Sequence, residues 1–99
     1  MTGPYRVEIH PEVVRDLASI PRNLADRILR AIEHRLSRAP DQYGERLRKS
    51  LRGYWKLRVG DYRVVFEILG DEVRVYGVMD RREVYDQIVR RLNRPEGGF

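Results

Sequence analysis

The pattern of apolar and polar residues first predicts a strand and then a helix. Residues 5–9, YRVEI, alternate large apolar and charged side chains, which is typical of a short strand. Pro11 suits the first position of a helix, and Val13, Val14 and Leu17 would form the buried side of that helix. The chain therefore begins with a predicted strand that leads directly into a helix.

A second, longer helix is predicted after Pro21. Its apolar residues recur about every four positions and form a wide stripe made of Leu24, Ala25, Ile28, Leu29, Ala31, Ile32 and Leu36. Pro40 is expected to end this helix, because proline cannot continue a helical hydrogen-bond pattern. The two helices should form a hairpin.

Beyond residue 53 the period changes to two, which is typical of strands. Three alternating runs cover residues 54–59, 62–69 and 72–79, and the dipeptides Gly60-Asp61 and Gly70-Asp71 separate them. Glycine at the first of two central residues suits a type II′ hairpin turn. We expect a three-stranded antiparallel meander.

Two segments flank this meander. Residues 41–53 are polar and basic and are expected to form a loop anchored by Leu47 and Leu51. Residues 82–93 should form a last helix, and residues 94–99 a disordered tail. The apolar side of that helix would consist of Val84, Ile88, Val89 and Leu92. The predicted fold is a single α+β domain over residues 1–99, with an N-terminal strand and a helical hairpin packed on a twisted antiparallel sheet of about four strands, and a C-terminal helix.

The first hairpin places like charges opposite each other. With residues 60–61 as its turn, Arg58 faces Arg63, and Lys56 lies on the same face of the sheet, which we expect to be open. Directly opposed like charges destabilise a sheet. In the next hairpin Glu67 falls opposite Arg74, so the charges there are of opposite sign.

Two interpretations of this face remain open. In the first, Arg58 and Arg63 splay into solvent or pair with Asp61 or Glu67, as surface arginines commonly do. In the second they form an anion site, because guanidinium groups offer paired donors to phosphate oxygens. Tyr54 would then either stack on a nucleobase or pack at the edge of the core.

The composition gives a net charge of +5 and a pI near 10.0. This balance favours a polyanionic partner such as nucleic acid or an acidic protein, unless the basic residues are simply spread evenly over the surface. Disulfides, thiolate metal sites and cysteine nucleophiles are excluded, because the chain contains no cysteine. No run reaches the roughly 18 apolar residues of a membrane span, and the polar start lacks a signal-peptide core. We expect a cytoplasmic protein without a metal or another cofactor.

Three stretches, in order, resemble a known family. They are "YRVEIHPEVVRDLASIP", "LRGYWKLRVGDYRVVFEI" and "VYGVMDRREVY", and they are similar to the RelE/ParE superfamily of toxins from type II toxin–antitoxin systems. The resemblance implies a helical hairpin packed on an antiparallel sheet. RelE-like members are ribosome-dependent endoribonucleases that cut mRNA in the ribosomal A site without a metal, whereas ParE-like members inhibit DNA gyrase. Both kinds are neutralised by a cognate antitoxin.

The resemblance also implies catalytic roles. Lys56 matches a RelE lysine that contributes to catalysis, and Arg63 matches the arginine thought to stabilise the transition state. Tyr85 matches a tyrosine proposed as the general base. RelE has a further arginine without a clean counterpart, for which Arg81 or Arg82 would substitute.

A second set of residues is predicted to bind RNA phosphates or bases. It comprises Tyr54, Arg58, Arg46, Arg48, Lys49 and Arg52. Lys56 together with Tyr85 favours a RelE-like toxin. Two departures favour a variant toxin or a ParE-like protein. Tyr54 stands in place of a second RelE lysine, and one RelE arginine is missing.

Metal-free RNA cleavage needs a base for the 2′-hydroxyl, stabilisation of the charged phosphorane and a proton for the leaving oxygen. Histidine often moves such protons, but His10 precedes a helix-starting proline and His34 lies inside the second helix, so we interpret each as a cap or a surface residue. Tyr85 remains as the base, a role that requires cations to favour a phenolate; packing against the sheet is its alternative role. We expect a RelE-like toxin that acts on ribosome and mRNA and is held by an antitoxin, with ParE-like inhibition of DNA gyrase as the alternative.

Overall fold

The computed structural model describes residues 3–94, which form one five-stranded sheet with helices on both sides. The strands are β1 Arg6–Ile9, β2 Glu45–Arg46, β3 Trp55–Val59, β4 Tyr62–Leu69 and β5 Glu72–Asp80. The helices are α1 Pro11–Ala18, α2 Arg22–Ala31, α3 Pro40–Tyr43 and α4 Val84–Leu92. The predicted α+β class is confirmed. Among these helices, none combines the length and the apolar character needed to cross a membrane.

The meander has the predicted register. Val59 pairs with Tyr62 and Arg58 with Arg63 across the first hairpin, and Glu67 lies opposite Arg74 in the second. The turn glycines, Gly60 and Gly70, have φ angles of 59° and 63°. A left-handed residue at the first central position is what a type II′ turn requires.

The rest of the sheet differs from the prediction. The strand order is β1-β5-β4-β3-β2, and β1 runs parallel to β5, whereas we expected an antiparallel sheet of about four strands. The fifth strand is β2, in the segment predicted to be a loop, and it pairs with the start of β3. A strand of only two residues has no alternating pattern to detect, and parallel pairing of distant strands leaves no local signal.

One face of the sheet packs on the helical hairpin. Leu57, Val64 and Phe66 are buried there against Ile28 and Ile32 of the hairpin, as the alternation predicted. In α1, Val13 is fully buried but Val14 is 64% exposed, so its predicted place on the buried side was wrong. Successive helical residues point about 100° apart, and α1 turns Val13 to the core.

The second helix ends earlier than predicted. Its last turns form a π-helix over Ile32–Leu36, and Pro40 begins α3 instead of ending α2. A four-residue spacing exceeds the 3.6 residues of an α-helical turn, so the stripe would drift off the core in a regular helix. The wider π turns keep Ile32 and Leu36 fully buried.

The other face is not fully open, in contrast to the prediction. Val65 of β4 and Met79 of β5 are buried beneath Val84 and Ile88 of α4. The predicted anchors of the basic segment, Leu47 and Leu51, are buried in the same cluster. Basic side chains on this face therefore lie at the rim of a second small core. Of the predicted tail over residues 94–99, Arg94 forms an ion pair with Glu12, and residues 95–99 lie outside the described residues.

A cluster of charged side chains joins α4 to α1 around the edge of the sheet. The Arg91 guanidinium donates to both carboxylate oxygens of Asp16, at 2.7 and 3.0 Å, and to the carbonyl of Tyr76 at 3.0 Å. Arg91 Nε also lies 2.8 Å from the Glu12 carboxylate. Asp16 in turn accepts the backbone N–H of Val78 at 2.9 Å. These contacts, which we call the Arg91 clasp, occupy the edge of β5 beyond its last pairing with β1 at Val75.

Candidate functional site

A groove of about 480 Å³ lies between β2, the turn that follows it and α4. Its charged and polar lining consists of Glu45, Arg46, Arg48, Lys49, Ser50, Lys56 and Tyr85, and its apolar lining of Leu47, Leu51 and Val89. We call it the Lys56–Tyr85 groove. It contains part of both predicted sets of site residues.

Lys56 and Tyr85 are in direct contact in this groove. The Lys56 ammonium donates to the Tyr85 hydroxyl at 2.9 Å and lies 5.6 Å from the centre of its ring. Strand β3 positions the lysine, and the first turn of α4, held by buried Val84 and Ile88, positions the tyrosine. Tyr85 is 48% exposed, so its hydroxyl is accessible to a ligand as well as to Lys56.

Two further cations lie on the turn between β2 and β3. Arg48 and Lys49 are exposed and line the groove, and in residues 3–94 neither forms an ion pair. Lys49 has a φ of 57°, in the left-handed region that costs a non-glycine residue free energy. The short 3₁₀ turn Lys49–Leu51 is anchored by buried Leu51. The groove is therefore strongly positive on this side.

Glu45 is a groove residue that the sequence reasoning missed. It pairs directly with Lys56 across β2 and β3 and lines the same groove. Directly opposite residues in a sheet have Cβ atoms about 4.5–5.5 Å apart, so the two side chains start from neighbouring positions. The interpretation of residues 41–53 as a loop concealed this pairing.

Arg63 and Arg58 do not line the Lys56–Tyr85 groove. The Arg63 guanidinium donates to the carbonyls of Gly60 and Tyr62, at 3.0 and 2.9 Å. Arg58 is exposed and lines a separate cleft together with Arg27 and Arg30 of α2. The two opposed arginines therefore do not form one site with Lys56 and Tyr85.

Arg81 and Arg82 also lie outside the groove. Arg81 Nε is 3.7 Å from the Asp61 carboxylate, and Arg82 bonds the Asp80 carboxylate at 3.0 and 3.3 Å. The hydrogen bonds from Arg82 lower the pKa of Asp80, and the same pair raises the pKa of Arg82. Both arginines are exposed and have carboxylate neighbours in this conformation.

The histidines have the predicted structural positions. His10 is the N-cap of α1, and its Nδ1 accepts the Glu12 backbone N–H at 3.1 Å. His34 is exposed on the π-helical turn. Neither lines the Lys56–Tyr85 groove.

Tyr54, Arg46 and Arg52 line a neighbouring groove at the start of β3. Tyr54 is half-buried, and its ring meets the edge of Tyr76 with centroids 5.5 Å apart. Burial raises the pKa of Tyr54, with a smaller contribution from Glu67. The predicted RNA-binding residues are thus divided: Arg48 and Lys49 lie in the first groove, Tyr54 and Arg52 in the second, Arg46 in both, and Arg58 in neither.

Similarity to known proteins shows that this fold is that of the small toxin domains found in toxin–antitoxin systems. Residues 7–85 match the family model described as the ParE toxin of the type II toxin–antitoxin system parDE. The chain belongs to the RelE/ParE superfamily of type II toxins, and it is closer to RelE.

Individual relatives support the RelE side of this superfamily. The chain is 37% identical over 65 residues to Toxin RelE of Mycobacterium tuberculosis, an alignment that covers 66% of this chain and 67% of the relative. The solved RelBE2 toxin–antitoxin complex of Mycobacterium tuberculosis contains a chain that matches with a TM-score of 0.74 and 30% identity, over 79% of this chain and 99% of that one. A mutant of E. coli toxin RelE in the free state matches in fold with a TM-score of 0.67 at 16% identity, over 90% of this chain and 98% of that one.

Proposed function

We propose that this protein is a ribosome-dependent endoribonuclease that cuts mRNA in the ribosomal A site and is held inactive by a cognate antitoxin. The observation that carries the proposal is the contact between Lys56 and Tyr85, at 2.9 Å, in an open basic groove. The relatives named RelE support the same assignment.

The groove residues match two of the three demands of metal-free RNA cleavage, a base for the 2′-hydroxyl and stabilisation of the charged phosphorane. A ribose 2′-hydroxyl placed beside Tyr85 would lose its proton to the Tyr85 oxygen, which the Lys56 ammonium contacts at 2.9 Å. Lys56 would also face the negative charge that develops on the phosphorane. Arg48 and Lys49 would hold flanking phosphates.

Glu45 is a second candidate for the base. Glu45 lines the groove and pairs with Lys56 across β2 and β3, and carboxylates serve as general bases in many enzymes. Tyr85 and Glu45 are thus alternative acceptors for the proton of the 2′-hydroxyl. The proposal assigns the role to Tyr85, because its hydroxyl has the observed hydrogen bond with Lys56.

Arg63 enters the reaction only after a change of rotamer. Its guanidinium would have to release the carbonyls of Gly60 and Tyr62 before it could contact a phosphate near Lys56. The turn does not require this bond, since the pairing of Val59 with Tyr62 closes the hairpin. Binding of RNA would supply the stronger, charged acceptor.

The test is cleavage of a defined mRNA in a purified translation system, with programmed ribosomes present or omitted. Removing a positioned proton-transfer group costs about 10²–10⁴-fold in rate, and we expect the activity of Tyr85→Phe to fall by that amount. Removing a donor that stabilises developing charge costs about 10²–10³-fold, which we expect for Lys56→Met. Tyr43→Phe is the matched control, because Tyr43 is 53% exposed and lies outside the groove. Activity of Tyr85→Phe with loss of activity in Glu45→Gln would transfer the base to Glu45. Intact mRNA in every wild-type lane would reject the nuclease.

Inhibition of DNA gyrase is the second candidate function, since the matched family model is that of ParE toxins. In that case the basic surface would bind gyrase without catalysing a reaction. A gyrase supercoiling assay separates the two functions. Inhibition that survives Tyr85→Phe, together with intact mRNA, would support the gyrase alternative.

The antitoxin is proposed from the solved complexes of related toxins with RelB-type partners. An amphipathic antitoxin helix would lie across exposed apolar side chains, in a mode where anchors recur at helical spacing. Displacement of α4 would move Tyr85 away from Lys56 and is the proposed inhibition route. Hydrogen exchange tests it: α4 amides should lose protection in the toxin–antitoxin complex, and retained protection would contradict displacement.

A further inference from the structure

A second groove, of about 450 Å³, lies at the end of the sheet where β3 begins. It shares Arg46 and Leu47 with the Lys56–Tyr85 groove, so the two are direct neighbours. The aromatic and charged part of its lining consists of Tyr5, Asp41, Arg46, Arg52, Tyr54 and Trp55. We call it the Trp55 groove.

Flat, stackable groups form one part of this lining. The Trp55 ring stacks on buried Phe66, with centroids 6.2 Å apart and planes 18° apart. The Arg46 guanidinium lies 5.0 Å from the centre of the Trp55 ring. Trp55 is half-buried and Arg46 is exposed, so this stack ends at solvent in the groove. In single-stranded RNA recognition, unpaired bases stack on aromatic rings and on guanidinium planes.

The charged groups suit the other parts of a nucleotide. Arg46 and Arg52 form no ion pair within residues 3–94, and both are exposed, so their donors are available to phosphate oxygens. Asp41 contributes a carboxylate that can accept hydrogen bonds from amino groups at a base edge. A nucleotide combines these features, a flat ring with polar edge groups and an adjacent negative charge.

We propose that the Trp55 groove binds the base of a nucleotide that flanks the cleaved phosphate in single-stranded RNA. The choice of RNA as ligand rests on the proposed function. The RNA strand crosses Arg46, which borders both grooves, and its flanking base stacks against the Arg46–Trp55 pair. A base in this groove fixes the register of the strand, so that the neighbouring phosphate lies beside Lys56.

Trp55 gives this proposal a direct spectroscopic test, because it is the chain's one tryptophan. A short oligoribonucleotide with 2′-O-methyl groups lacks the reactive hydroxyl and is titrated into the wild-type protein. The expected result is a saturable change in Trp55 fluorescence. Loss of one stacked base weakens single-strand binding by roughly tenfold or more, so an oligonucleotide with an abasic site at the flanking position should bind that much less tightly.

Variants separate stacking from general charge. We expect Arg46→Ala to reduce the affinity about as much as the abasic site, and the two changes should not add. Arg22→Ala removes one charge from an exposed arginine of α2 outside both grooves and is the matched control. Its affinity should change far less than that of Arg46→Ala.

Two results would overturn the proposal. The first is oligonucleotide binding, measured by anisotropy of a labelled strand, without a change in Trp55 fluorescence. The second is a fluorescence change with antitoxin but not with RNA, which would assign the groove to the protein partner. Cleavage of mRNA without an RNA-dependent change in Trp55 fluorescence would reject base binding in the Trp55 groove but not the proposed nuclease activity. A base-dependent fluorescence change without cleavage would support base binding and reject the nuclease activity.

Discussion

Removing Arg91 tests whether the Arg91 clasp holds α4 in place. Arg91→Met keeps much of the side-chain length and apolar stem but removes the guanidinium. It eliminates the paired hydrogen bonds to Asp16, the bond to the Tyr76 carbonyl and the ion pair with Glu12. The side chains of Arg91, Asp16 and Glu12 are only 15%, 13% and 21% exposed, so solvent cannot fully replace these contacts.

The expected loss in the free energy of unfolding is about 2–3 kcal/mol. Breaking a buried ion pair by removing one partner costs about 3–5 kcal/mol. The clasp should lie below that range, because Asp16 keeps the Val78 N–H and Glu12 keeps its contact with Arg94. For a domain of this size, such a loss lowers Tm by roughly 10–20 °C.

Urea unfolding, followed by Trp55 fluorescence and by far-UV circular dichroism, measures this loss. Arg90→Met is the matched control, because Arg90 is exposed and should change stability by less than about 0.5 kcal/mol. A double-mutant cycle with Asp16→Asn should give a coupling energy above about 1 kcal/mol, as expected for contacting residues. If Arg91→Met unfolds like Arg90→Met, or if the cycle shows no coupling, the clasp does not stabilise α4.

Three further predictions concern acid stability, a glycine contact and a strained turn. Burial raises the pKa of Glu12, but the hydrogen bond from Arg94 and the charges of Arg91 and Arg94 outweigh it and lower that pKa below 4.5. The ionised carboxylate therefore stabilises the fold above pH 4.5, and this stabilisation is lost as the pH falls through the pKa of the folded state. Urea midpoints from pH 7 to pH 3 should fall more steeply for wild type than for Glu12→Gln, and parallel curves would contradict the assignment. Gly44→Ala should cost about 1–3 kcal/mol, because its Cβ would lie 2.6 Å from the buried Phe66 ring and 2.9 Å from the Pro40 carbonyl; an unchanged urea midpoint would show that the site relaxes freely. Lys49→Gly should stabilise the fold by about 1 kcal/mol, because glycine adopts the φ of 57° without strain, and calorimetry should show a higher Tm, whereas an equal or lower Tm would argue against strain.

The elements with strong local signals were predictable. Alternation around two Gly-Asp turns set the register of β3, β4 and β5, including the pair Arg58 and Arg63. The helical period placed Ile28 and Ile32 in the core. Val14 was misplaced, because periodicity over one short helix does not fix which edge of its apolar stripe meets the sheet.

The resemblance grouped Lys56 with Tyr85, but the residues that surround this pair could not be predicted from the sequence. Lys56 and Tyr85 are 29 positions apart, and their contact follows from how α4 docks on the second face of the sheet. The strand face grouped Arg63 with Lys56, and the resemblance grouped it with Tyr85, yet its guanidinium donates to the Gly60 carbonyl. Glu45 was missed, because the two-residue strand β2 has no pattern of its own.

The sequence by itself determined the helical hairpin, the meander and its register, because these depend on local backbone preferences and on periods of two and about four residues. Only the tertiary structure decided the parallel pairing of β1 with β5, the cover over the second sheet face and the Arg91 clasp between residues 75 positions apart. The physical reason is that local conformation involves neighbouring residues, whereas a groove forms where distant segments bury apolar surface together. The Lys56–Tyr85 groove is of this second kind, since buried Leu51 and Ile88 bring its two sides together.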